Sequence, residues 1–535
     1  MRFLEKLSSR RVNALLPALV MLGACAPAAP PPTTPTPAPT TVSRAVVGGI
    51  ADAPPVTDSR TALRQFADSL VSQPAFRNAH FGILIVDPTS GDTLYSRNAG
   101  KLFMPASNQK LITGAVALAR LGPDYRFRTE VATVTSVRDA PALLGGTLRG
   151  DLVVTGFGDP TVSDHAQVDA MAPLHAIADS LLAHGVRRIN GRVLAGADNL
   201  PGPSLGFGWA WDDLPYPYSA GVDELYFNEG FTRIIVHGGS RPGAPARAVT
   251  RPARTFPALT LDVTTVAPGS TPRPELEVES TADGLGAVVT GTIAAGDSAV
   301  LQVTFRDQTA AYLAALNEAL ADRGIRVDGR GTTPPDSVIA HVGSPLFVVL
   351  SPPLRDIMPL LQKPSQNQIA ELLLRALGRE LTGSGSADSG RAVIERQLLA
   401  WGAQPDGFVI RDGSGLSRHD YLSPETIIRV LDVMTRDPSF QVYYDALPIA
   451  GVDGTIENRM RGTPAQGNVH AKTGYIDRAR SLSGYVTTAN GKRLLFSILA
   501  NNWTTSVREV EAVQDAIAVR LAGMTLGPTG AAGGR

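Results

Sequence analysis

Apolar and polar residues alternate with different periods in successive parts of this chain. Residues 81–100 hold two short apolar runs around Asp-Pro-Thr-Ser-Gly, a pattern that predicts strand, turn and strand. Residues 107–121 show the period of a helix, which Gly122-Pro123 should end. From about 125 to 345 the pattern predicts short β-rich segments separated by Gly and Pro, with a single helix at 310–324.

A helical period returns after about residue 350. It predicts three helices, at 365–381, 388–402 and 423–437. Residues 481–502 are predicted to form a hairpin around Asn490-Gly491, and 507–524 a closing amphipathic helix. The two ends of the chain therefore predict an α+β fold, in which helices flank an antiparallel sheet. The middle region is expected to be a large β-rich insertion of one or two extra domains.

The N-terminal residues have the pattern of an export signal. A basic start precedes the apolar run 12–24, which is too short to span a membrane and resembles a signal-peptide core. Cys25 follows Gly23-Ala24 as in a bacterial lipobox, so we expect cleavage before Cys25 and lipid attachment to its thiol. Residues 26–41 are rich in Pro and Thr, which predicts an extended tether.

Composition narrows the function only slightly. The chain has 535 residues, of which 43% are apolar, and a net charge of +0. This length allows roughly two to four domains, and the balanced charge gives no reason to expect nucleic acid as a partner. Cys25 is the only cysteine, which excludes intramolecular disulfides and cysteine-cluster metal sites. The sequence implies no metal and no organic cofactor.

Lysine is rare in this chain: six of its 49 Lys and Arg residues are lysines. Lys110 lies three residues after Ser107 on the first turn of a predicted helix, so both side chains share one face. A lysine with a lowered pKa can take the proton of a serine nucleophile, whereas arginine does not lose its proton in proteins. Alone, this S-x-x-K spacing is mostly coincidence, and a capping serine beside a solvated lysine is the alternative.

Two further motifs follow. Ser365, Gln366 and Asn367 precede a helix that Ser365 could simply cap. Lys472-Thr473-Gly474 precedes the hairpin, where the cation and hydroxyl could bind a carboxylate and the glycine would let substrate backbone approach. An exposed edge strand is the alternative there. The order S-x-x-K, S-x-N, K-T-G is that of serine β-lactamases and penicillin-binding proteins.

With these motifs, the chain resembles the D-alanyl-D-alanine carboxypeptidase/endopeptidases, the low-molecular-mass class C penicillin-binding proteins, from about residue 60 to 525. Four more segments carry the resemblance: 150–162, 208–220, 412–424 and 450–463. The resemblance implies a serine penicillin-binding/β-lactamase-like transpeptidase fold with two inserted domains. It also implies a D-Ala-D-Ala carboxypeptidase and/or D,D-endopeptidase that acts on peptidoglycan stem peptides through an acyl-enzyme, with β-lactam antibiotics as covalent inhibitors.

The resemblance also implies residue roles. Ser107 would be the acylated nucleophile, Lys110 the base and Ser365 a proton relay. Asn367 would position the substrate amide, while Lys472 and Thr473 would bind the terminal carboxylate. Gly474 would keep the role given above, in which the absence of a side chain lets the substrate backbone approach closely.

Backbone N–H groups of Ser107 and Tyr475 would form the oxyanion hole, as the resemblance implies. Lys472 near Lys110 would lower the pKa of Lys110 by like-charge repulsion.

Two positions depart from the family pattern. Gln366 replaces the usual Asp or Asn, with little expected effect. Tyr475 replaces a small hydroxyl residue, which bears on substrate preference more than on acylation.

Competing interpretations remain at this point. Ser204 lies in a G-x-S-x-G pattern, but Pro203 and the absence of a following helical period favour a loop over a nucleophile elbow. His419 and His470 lie near motif positions and are expected to take no part in the reaction, because lysine supplies the base. The alternative functions are a β-lactamase or esterase on the same scaffold, and a catalytically silent lipoprotein that binds peptidoglycan.

These observations predict six parts and an exported protein, in the periplasm or cell envelope and lipid-anchored to a membrane. The parts are a signal peptide (1–24), a lipid-anchor cysteine with linker (25–58), the first part of the catalytic domain (59–124), the inserted domains (125–345), the second part of the catalytic domain (346–525) and a disordered tail (526–535).

Overall fold

The structure is a computed structural model that describes residues 56–57, 60–134, 143–281, 284–331 and 342–527. The predicted signal peptide, Cys25 and nearly all of the predicted linker and tail lie outside the described residues. Among the helices that are described, none combines the length and the apolar character needed to cross a bilayer.

The described α-helices, numbered in chain order, are α1 (Arg60–Val71), α2 (Gln109–Leu121), α3 (Ala172–Ala183), α4 (Gln308–Asp322), α5 (Leu354–Gln362), α6 (Asn367–Thr382), α7 (Ala387–Ala400), α8 (Pro424–Met434), α9 (Phe440–Ala446) and α10 (Val507–Gly523). The described strands are β1 (Val56–Thr57), β2 (His80–Asp87), β3 (Asp92–Arg97), β4 (Arg128–Thr133), β5 (Leu143–Leu144), β6 (Thr147–Leu148), β7 (Leu152–Gly156), β8 (Arg188–Ile189), β9 (Val193–Ala195), β10 (Phe231–His237), β11 (Arg247–Arg251), β12 (Ala258–Val266), β13 (Leu276–Ser280), β14 (Gly286–Ala294), β15 (Ser298–Thr304), β16 (Arg326–Val327), β17 (Phe347–Leu350), β18 (Phe408–Val409), β19 (Tyr421–Leu422), β20 (His470–Ile476), β21 (Ala479–Thr487), β22 (Arg493–Asn501) and β23 (Met524–Thr525).

A five-stranded sheet joins the two ends of the chain, in the order β20-β21-β22-β2-β3. Every neighbouring pair is antiparallel, and Ile83 lies opposite Ile498. Alternate residues face opposite sides. Leu84 and Leu495 pack in one core with α2, α6 and α8, whereas Ile83 and Phe496 pack in a second core with α1 and α10. This is the predicted antiparallel sheet with helices on its faces.

Between α2 and α5, the chain forms four smaller sheets, in the orders β17-β4-β7-β9, β16-β8-β6-β5, β11-β10-β15 and β12-β14-β13. Helices α3 and α4 share one core with β4, β7 and β9, and strands β10, β14 and β15 share another. The sequence predicted one helix in this region, at 310–324, and α3 was missed. Because α3 is apolar around most of its circumference, its sequence lacks the one-sided stripe that marks an amphipathic helix.

Two boundaries differ from the predictions. The α-helical hydrogen bonding of α2 begins at Gln109, so Ser107 lies in the 3-10 turn Ala106–Asn108 that precedes it. At the other end, Leu526 is buried and its carbonyl accepts a hydrogen bond of 2.8 Å from Asn490 Nδ2. The first residue of the predicted disordered tail therefore packs on the fold.

Candidate active site

The turn that carries Ser107 is held in an unusual backbone conformation. Ala106 has a φ of 46°, in the left-handed region that residues other than glycine seldom adopt. Asn108 Nδ2 donates a hydrogen bond of 2.8 Å to the carbonyl of Lys472, which fastens the turn to β20. The Ser107 side chain is half-buried, so its hydroxyl can be reached from outside.

Lys110 is fully buried and its Nζ contacts three oxygen atoms. Nζ lies 2.8 Å from Ser107 Oγ, 2.6 Å from Asn367 Oδ1 and 2.8 Å from the Ser414 carbonyl oxygen. Burial lowers the pKa of Lys110 to about 7. A neutral amine has two N–H donors and one lone pair. The oxygens of Asn367 and Ser414 can only accept, so they take the two donors and leave the lone pair facing the Ser107 hydroxyl.

The cause of this lowered pKa differs from the predicted one. Burial is the main cause, and the nearby carboxyl groups of Asp412, Glu371 and Asp420 act in the opposite direction. The predicted repulsion between the two lysines acts on Lys472 instead. Burial, and after it the charge of Lys110, hold the pKa of Lys472 well below its usual range. The desolvated pocket itself therefore accounts for a neutral Lys110.

Three residues that form or support the contact of Lys110 with the Ser414 carbonyl were given no role from the sequence: Glu371, Asp412 and Ser414. Glu371 accepts backbone N–H bonds from Gly413 (3.0 Å) and Ser414 (2.9 Å). Asp412 accepts them from Ser414 (3.1 Å) and Gly415 (2.6 Å). These bonds fix the segment whose Ser414 carbonyl faces Lys110. The only signals in the sequence were Glu371 one helical turn after Asn367 and the clustered polar residues of 412–417.

Asn367 uses both ends of its side-chain amide inside the protein. Its Oδ1 faces Lys110, and its Nδ2 donates to the carbonyl of Tyr218 at 2.7 Å. Gln368 Nε2 donates to the carbonyls of Pro217 (2.9 Å) and Ala220 (3.1 Å). The loop 208–220 of the inserted region therefore packs directly against the S-x-N motif and orients the Asn367 amide.

Ser365 does not cap the following helix, contrary to the capping alternative. The cap is Gln366, whose Oε1 accepts the N–H of Ile369 at 3.1 Å. Ser365 instead has a φ of 68° in the tight turn before α6. No hydrogen bond within the described residues joins its hydroxyl to Ser107 or Lys110.

Strand β20 forms the other side of the site. Although β20 lies at the edge of the sheet, His470–Gly474 are buried, so the alternative of a solvent-exposed edge strand is wrong. Lys472 is fully buried and its Nζ donates to the Thr473 carbonyl at 3.0 Å. The Oγ1 atoms of Thr473 and Thr455 lie 2.7 Å apart.

Gly474 lies against the nucleophile turn itself. A Cβ atom at this position would lie 2.6 Å from the Pro105 carbonyl oxygen and 2.9 Å from the Ser107 nitrogen. Both distances are too short for a real Cβ, so glycine is required for β20 to approach Ser107. The predicted close approach therefore exists, but it is made by the protein's own backbone.

Tyr475 has an exposed side chain, and its backbone points toward the open edge of the sheet. Ala471 donates its N–H to the Pro448 carbonyl at 3.0 Å, away from β21. Since N–H directions alternate along an antiparallel strand, the N–H of Tyr475 points to the same open side. It is thereby available as a donor near Ser107.

The other candidates lie outside this arrangement. The His419 ring packs 5.6 Å from the Phe207 ring, and the His470 ring stacks 3.9 Å from that of Tyr444. Within the described residues, neither histidine is hydrogen-bonded to Ser107. Ser204 lies in a loop, as the sequence predicted.

Comparison with known proteins identifies the family. The model of the D-Ala-D-Ala carboxypeptidase 3 (S13) family matches residues 63–524. This chain belongs to that family. A D-alanyl-D-alanine carboxypeptidase of Actinomadura sp. (strain R39) is 36% identical over 477 residues, which cover 86% of this chain and 85% of the relative. The D-alanyl-D-alanine carboxypeptidase DacB of Haemophilus influenzae is 27% identical over 444 residues, covering 81% of this chain and 88% of the relative.

Solved structures show the same fold. The crystal structure of penicillin binding protein 4 from Haemophilus influenzae has a TM-score of 0.70 at 25% identity, and the match covers 87% of this chain and 98% of that one. A second structure of that protein, complexed with a β-lactam, has a TM-score of 0.67 at 23% identity, over 85% of this chain and 98% of that one. The predicted family, the fold class and the class of enzyme, a D-alanyl-D-alanine carboxypeptidase and hence a hydrolase, are confirmed.

Proposed function

We propose that this S13 carboxypeptidase cleaves D-Ala-D-Ala ends, and D,D cross-links, of peptidoglycan stem peptides through an acyl-enzyme on Ser107. One observation carries the proposal: the buried Lys110 amine, with its pKa lowered to about 7, faces the Ser107 hydroxyl at 2.8 Å. The family's relatives are named D-alanyl-D-alanine carboxypeptidases, which supports the substrate class.

Acylation would proceed from the neutral form of Lys110. The amine takes the proton of Ser107 while Oγ attacks the carbonyl carbon of the penultimate D-Ala. The N–H groups of Ser107 and Tyr475 stabilise the negative oxygen that forms. The C–N bond then breaks, and the proton passes from Lys110 to the leaving amine. The family resemblance supports Ser365 as the relay, and in the free protein its hydroxyl is not hydrogen-bonded to Lys110 within the described residues. Water later hydrolyses the ester and regenerates Ser107.

The terminal carboxylate of the substrate would bind to Lys472 and Thr473. Lys472 is buried with a low pKa in the free protein, so a bound carboxylate raises that pKa and favours the charged lysine. A charged Lys472 in turn favours the neutral form of Lys110. Substrate binding thereby prepares the base for the reaction. A β-lactam with a carboxylate beside its strained amide would acylate Ser107 by the same route.

A decisive experiment for this proposal follows the wild-type protein with labelled penicillin and with purified cross-linked muropeptides. We expect a covalent label on the peptide that contains Ser107, persisting for many minutes, and release of D-alanine or loss of the cross-link. D-alanine release reports carboxypeptidase activity, and cross-link loss reports endopeptidase activity. Rapid loss of the label would favour the β-lactamase alternative, and no label would support the catalytically silent one.

Acylation should become faster as the pH rises through about 7. The pKa of Lys110 is lowered to about 7 by burial, and only the neutral amine can accept the Ser107 proton. Below that pH the rate should fall about tenfold per unit, and above it the rate should level off. The measurement is the second-order rate constant for penicillin labelling between about pH 5 and 9, with circular dichroism as the control for folding. A flat profile would show that another group is the base.

We also propose that the chain is exported and anchored to a membrane by lipid on Cys25. The basic start, short apolar run and small residues before Cys25 support this, and so does a substrate located in the cell wall. The residues 125–345 would form accessory domains within the catalytic domain. Replacing Cys25 with serine should move the protein from the membrane fraction to the soluble fraction; unchanged partition would contradict lipid anchoring.

A further inference from the structure

One segment, residues 447–455, touches both sides of the candidate active site. On one side it contacts Lys363, two residues before Ser365 in the turn that precedes α6. On the other it runs beside the start of β20 and reaches Thr473. None of the sequence motifs assigned a role to this segment.

The first contact holds the turn of Ser365. Lys363 Nζ donates to Asp453 Oδ2 at 2.7 Å and to the Leu447 carbonyl at 3.0 Å. The backbone N–H of Thr455 donates to the Lys363 carbonyl at 3.1 Å. Ser365 has a φ of 68°, and a serine keeps such a conformation only where its surroundings impose it. These three bonds attach the N-terminal side of that turn to the segment, in addition to the bond of 3.0 Å from the Gln366 N–H to the Leu361 carbonyl that closes the turn.

The second contact holds the strand of Thr473. The Pro448 carbonyl accepts the N–H of Ala471 at 3.0 Å. Asp453 closes the segment, since its Oδ1 accepts the N–H of Ile449 at 3.0 Å while its Oδ2 binds Lys363. One carboxylate therefore ties the turn before α6 to the edge of β20.

The hydroxyl pair at the end of the segment bears on carboxylate binding. In the free protein, Thr473 Oγ1 donates to Thr455 Oγ1 at 2.7 Å, and each hydroxyl carries one hydrogen and two lone pairs that can accept. When a carboxylate takes the hydrogen of Thr473, the Thr455 hydroxyl can supply its own hydrogen to the Thr473 oxygen. Such a chain strengthens the donor that faces the carboxylate.

An ordinary surface ion pair is the competing explanation for Lys363 and Asp453, whose side chains are 24% and 34% exposed. Pairs of that kind contribute little. Here the lysine also bonds a backbone carbonyl, and its own carbonyl is bonded by the same segment. The contact is therefore a multiple attachment of two backbones.

We propose that Lys363, Asp453 and Thr455 are positioning residues: Lys363 and Asp453 hold the Ser365 turn against β20, and Thr455 orients the Thr473 hydroxyl toward the substrate carboxylate. This inference rests on the roles proposed above for Ser365 and Thr473. Lys363 and Asp453 act on the rate of acylation, whereas Thr455 acts on recognition of the carboxylate.

The Thr455 part is tested with a peptide that ends in D-Ala-D-Ala and with the same peptide as its C-terminal amide. Thr455→Val should lower kcat/KM for the free acid about tenfold, mainly through KM, and should leave the amide nearly unchanged. The matched control is Thr435→Val, because the Thr435 hydroxyl bonds within its own helix end at 2.6 Å. An unchanged ratio of acid to amide in Thr455→Val would overturn this role.

The Lys363 part is tested by penicillin labelling of Lys363→Met, Asp453→Asn and the double variant. Each single variant should label about tenfold more slowly, and the double variant should be no slower than the worse single one, because both remove the same attachment. Lys492→Met is the matched control, since Lys492 forms an ion pair with Asp87 instead. Additive losses, or wild-type rates in the folded Asp453→Asn protein, would contradict the coupling. An unlabelled wild type would instead overturn the proposed function.

Discussion

Replacing Ser107 with alanine should abolish covalent labelling by penicillin and lower kcat for D-alanine release by about 10⁶. The loss follows from the chemistry, because no acyl-enzyme forms without Oγ. Folding should be nearly unaffected. Lys110 keeps its bonds to Asn367 Oδ1 and the Ser414 carbonyl, which do not involve the serine. We expect the Tm to stay within about 3 °C of the wild type. The measurements are penicillin labelling followed by mapping of the labelled peptide, and a thermal unfolding scan of the variant and the wild type.

The matched control for this variant is Ser204→Ala, which removes the serine of the G-x-S-x-G pattern. Ser204 lies in a loop, so this variant should label at the wild-type rate. Full labelling of Ser107→Ala would remove Ser107 as the nucleophile. Loss of labelling in Ser204→Ala instead would revive the nucleophile-elbow alternative.

The sequence could predict which residues the fold brings together at the site, because each motif is short and local. The three-residue spacing predicts that Ser107 and Lys110 lie on the same side of the chain, which holds although Ser107 lies in the turn before α2. Lys472-Thr473-Gly474 lies directly before a clear hairpin signal. The central sheet was also predictable, since alternation and the Asn490-Gly491 turn are local patterns. Pairing between strands from the two ends of the chain then follows from the antiparallel arrangement.

The residues that surround Lys110 could not be predicted from local sequence patterns. The Lys110 amine and the Ser414 carbonyl that it contacts are 304 positions apart in the sequence. In the sequence, Glu371 and Asp412 look like ordinary polar residues. In the fold they are buried and accept the backbone N–H of Ser414. The cause of the lowered Lys110 pKa was misjudged for the same reason, because burial is a property of the whole fold. The sequence did not predict α5 either, because this helix contains Pro359 and proline is disfavoured inside a helix.

Lys110 offers the sharpest test of the mechanism, because burying a lysine side chain costs free energy whenever the amine is charged. A lysine is fully buried although the rest of the chain uses arginine for most positive charges. Burying an amine penalises its charged form, and the three buried carboxyl groups nearby do not restore its usual pKa. The attraction of these carboxyl groups for a charged lysine is smaller than the cost of burying that charge, so the arrangement favours the neutral amine. A base gains a lone pair aimed at Ser107.

Replacing Lys110 with methionine or with arginine should therefore slow acylation by about 10² to 10⁴ at pH 8, the usual contribution of a general base. Methionine has a similar length but cannot accept a proton, and arginine keeps its charge at any accessible pH. Both variants should also lose the rise in rate through about pH 7, because that rise belongs to the Lys110 amine. The loss of this pH dependence separates a missing base from a distorted site, since distortion lowers the rate without removing the titration.

Stability needs its own control, because methionine leaves two buried oxygens without a donor, those of Asn367 and Ser414. The cost is about 1–3 kcal/mol for each unpaired group, so the Tm of Lys110→Met should fall by several degrees. Labelling must then be measured well below that Tm, beside Lys492→Met as a lysine variant outside the site. If folded Lys110→Arg labels within about tenfold of the wild type and keeps the same pH profile, Lys110 is not the base. The proton of Ser107 would then have to leave by way of Ser365 or Lys472.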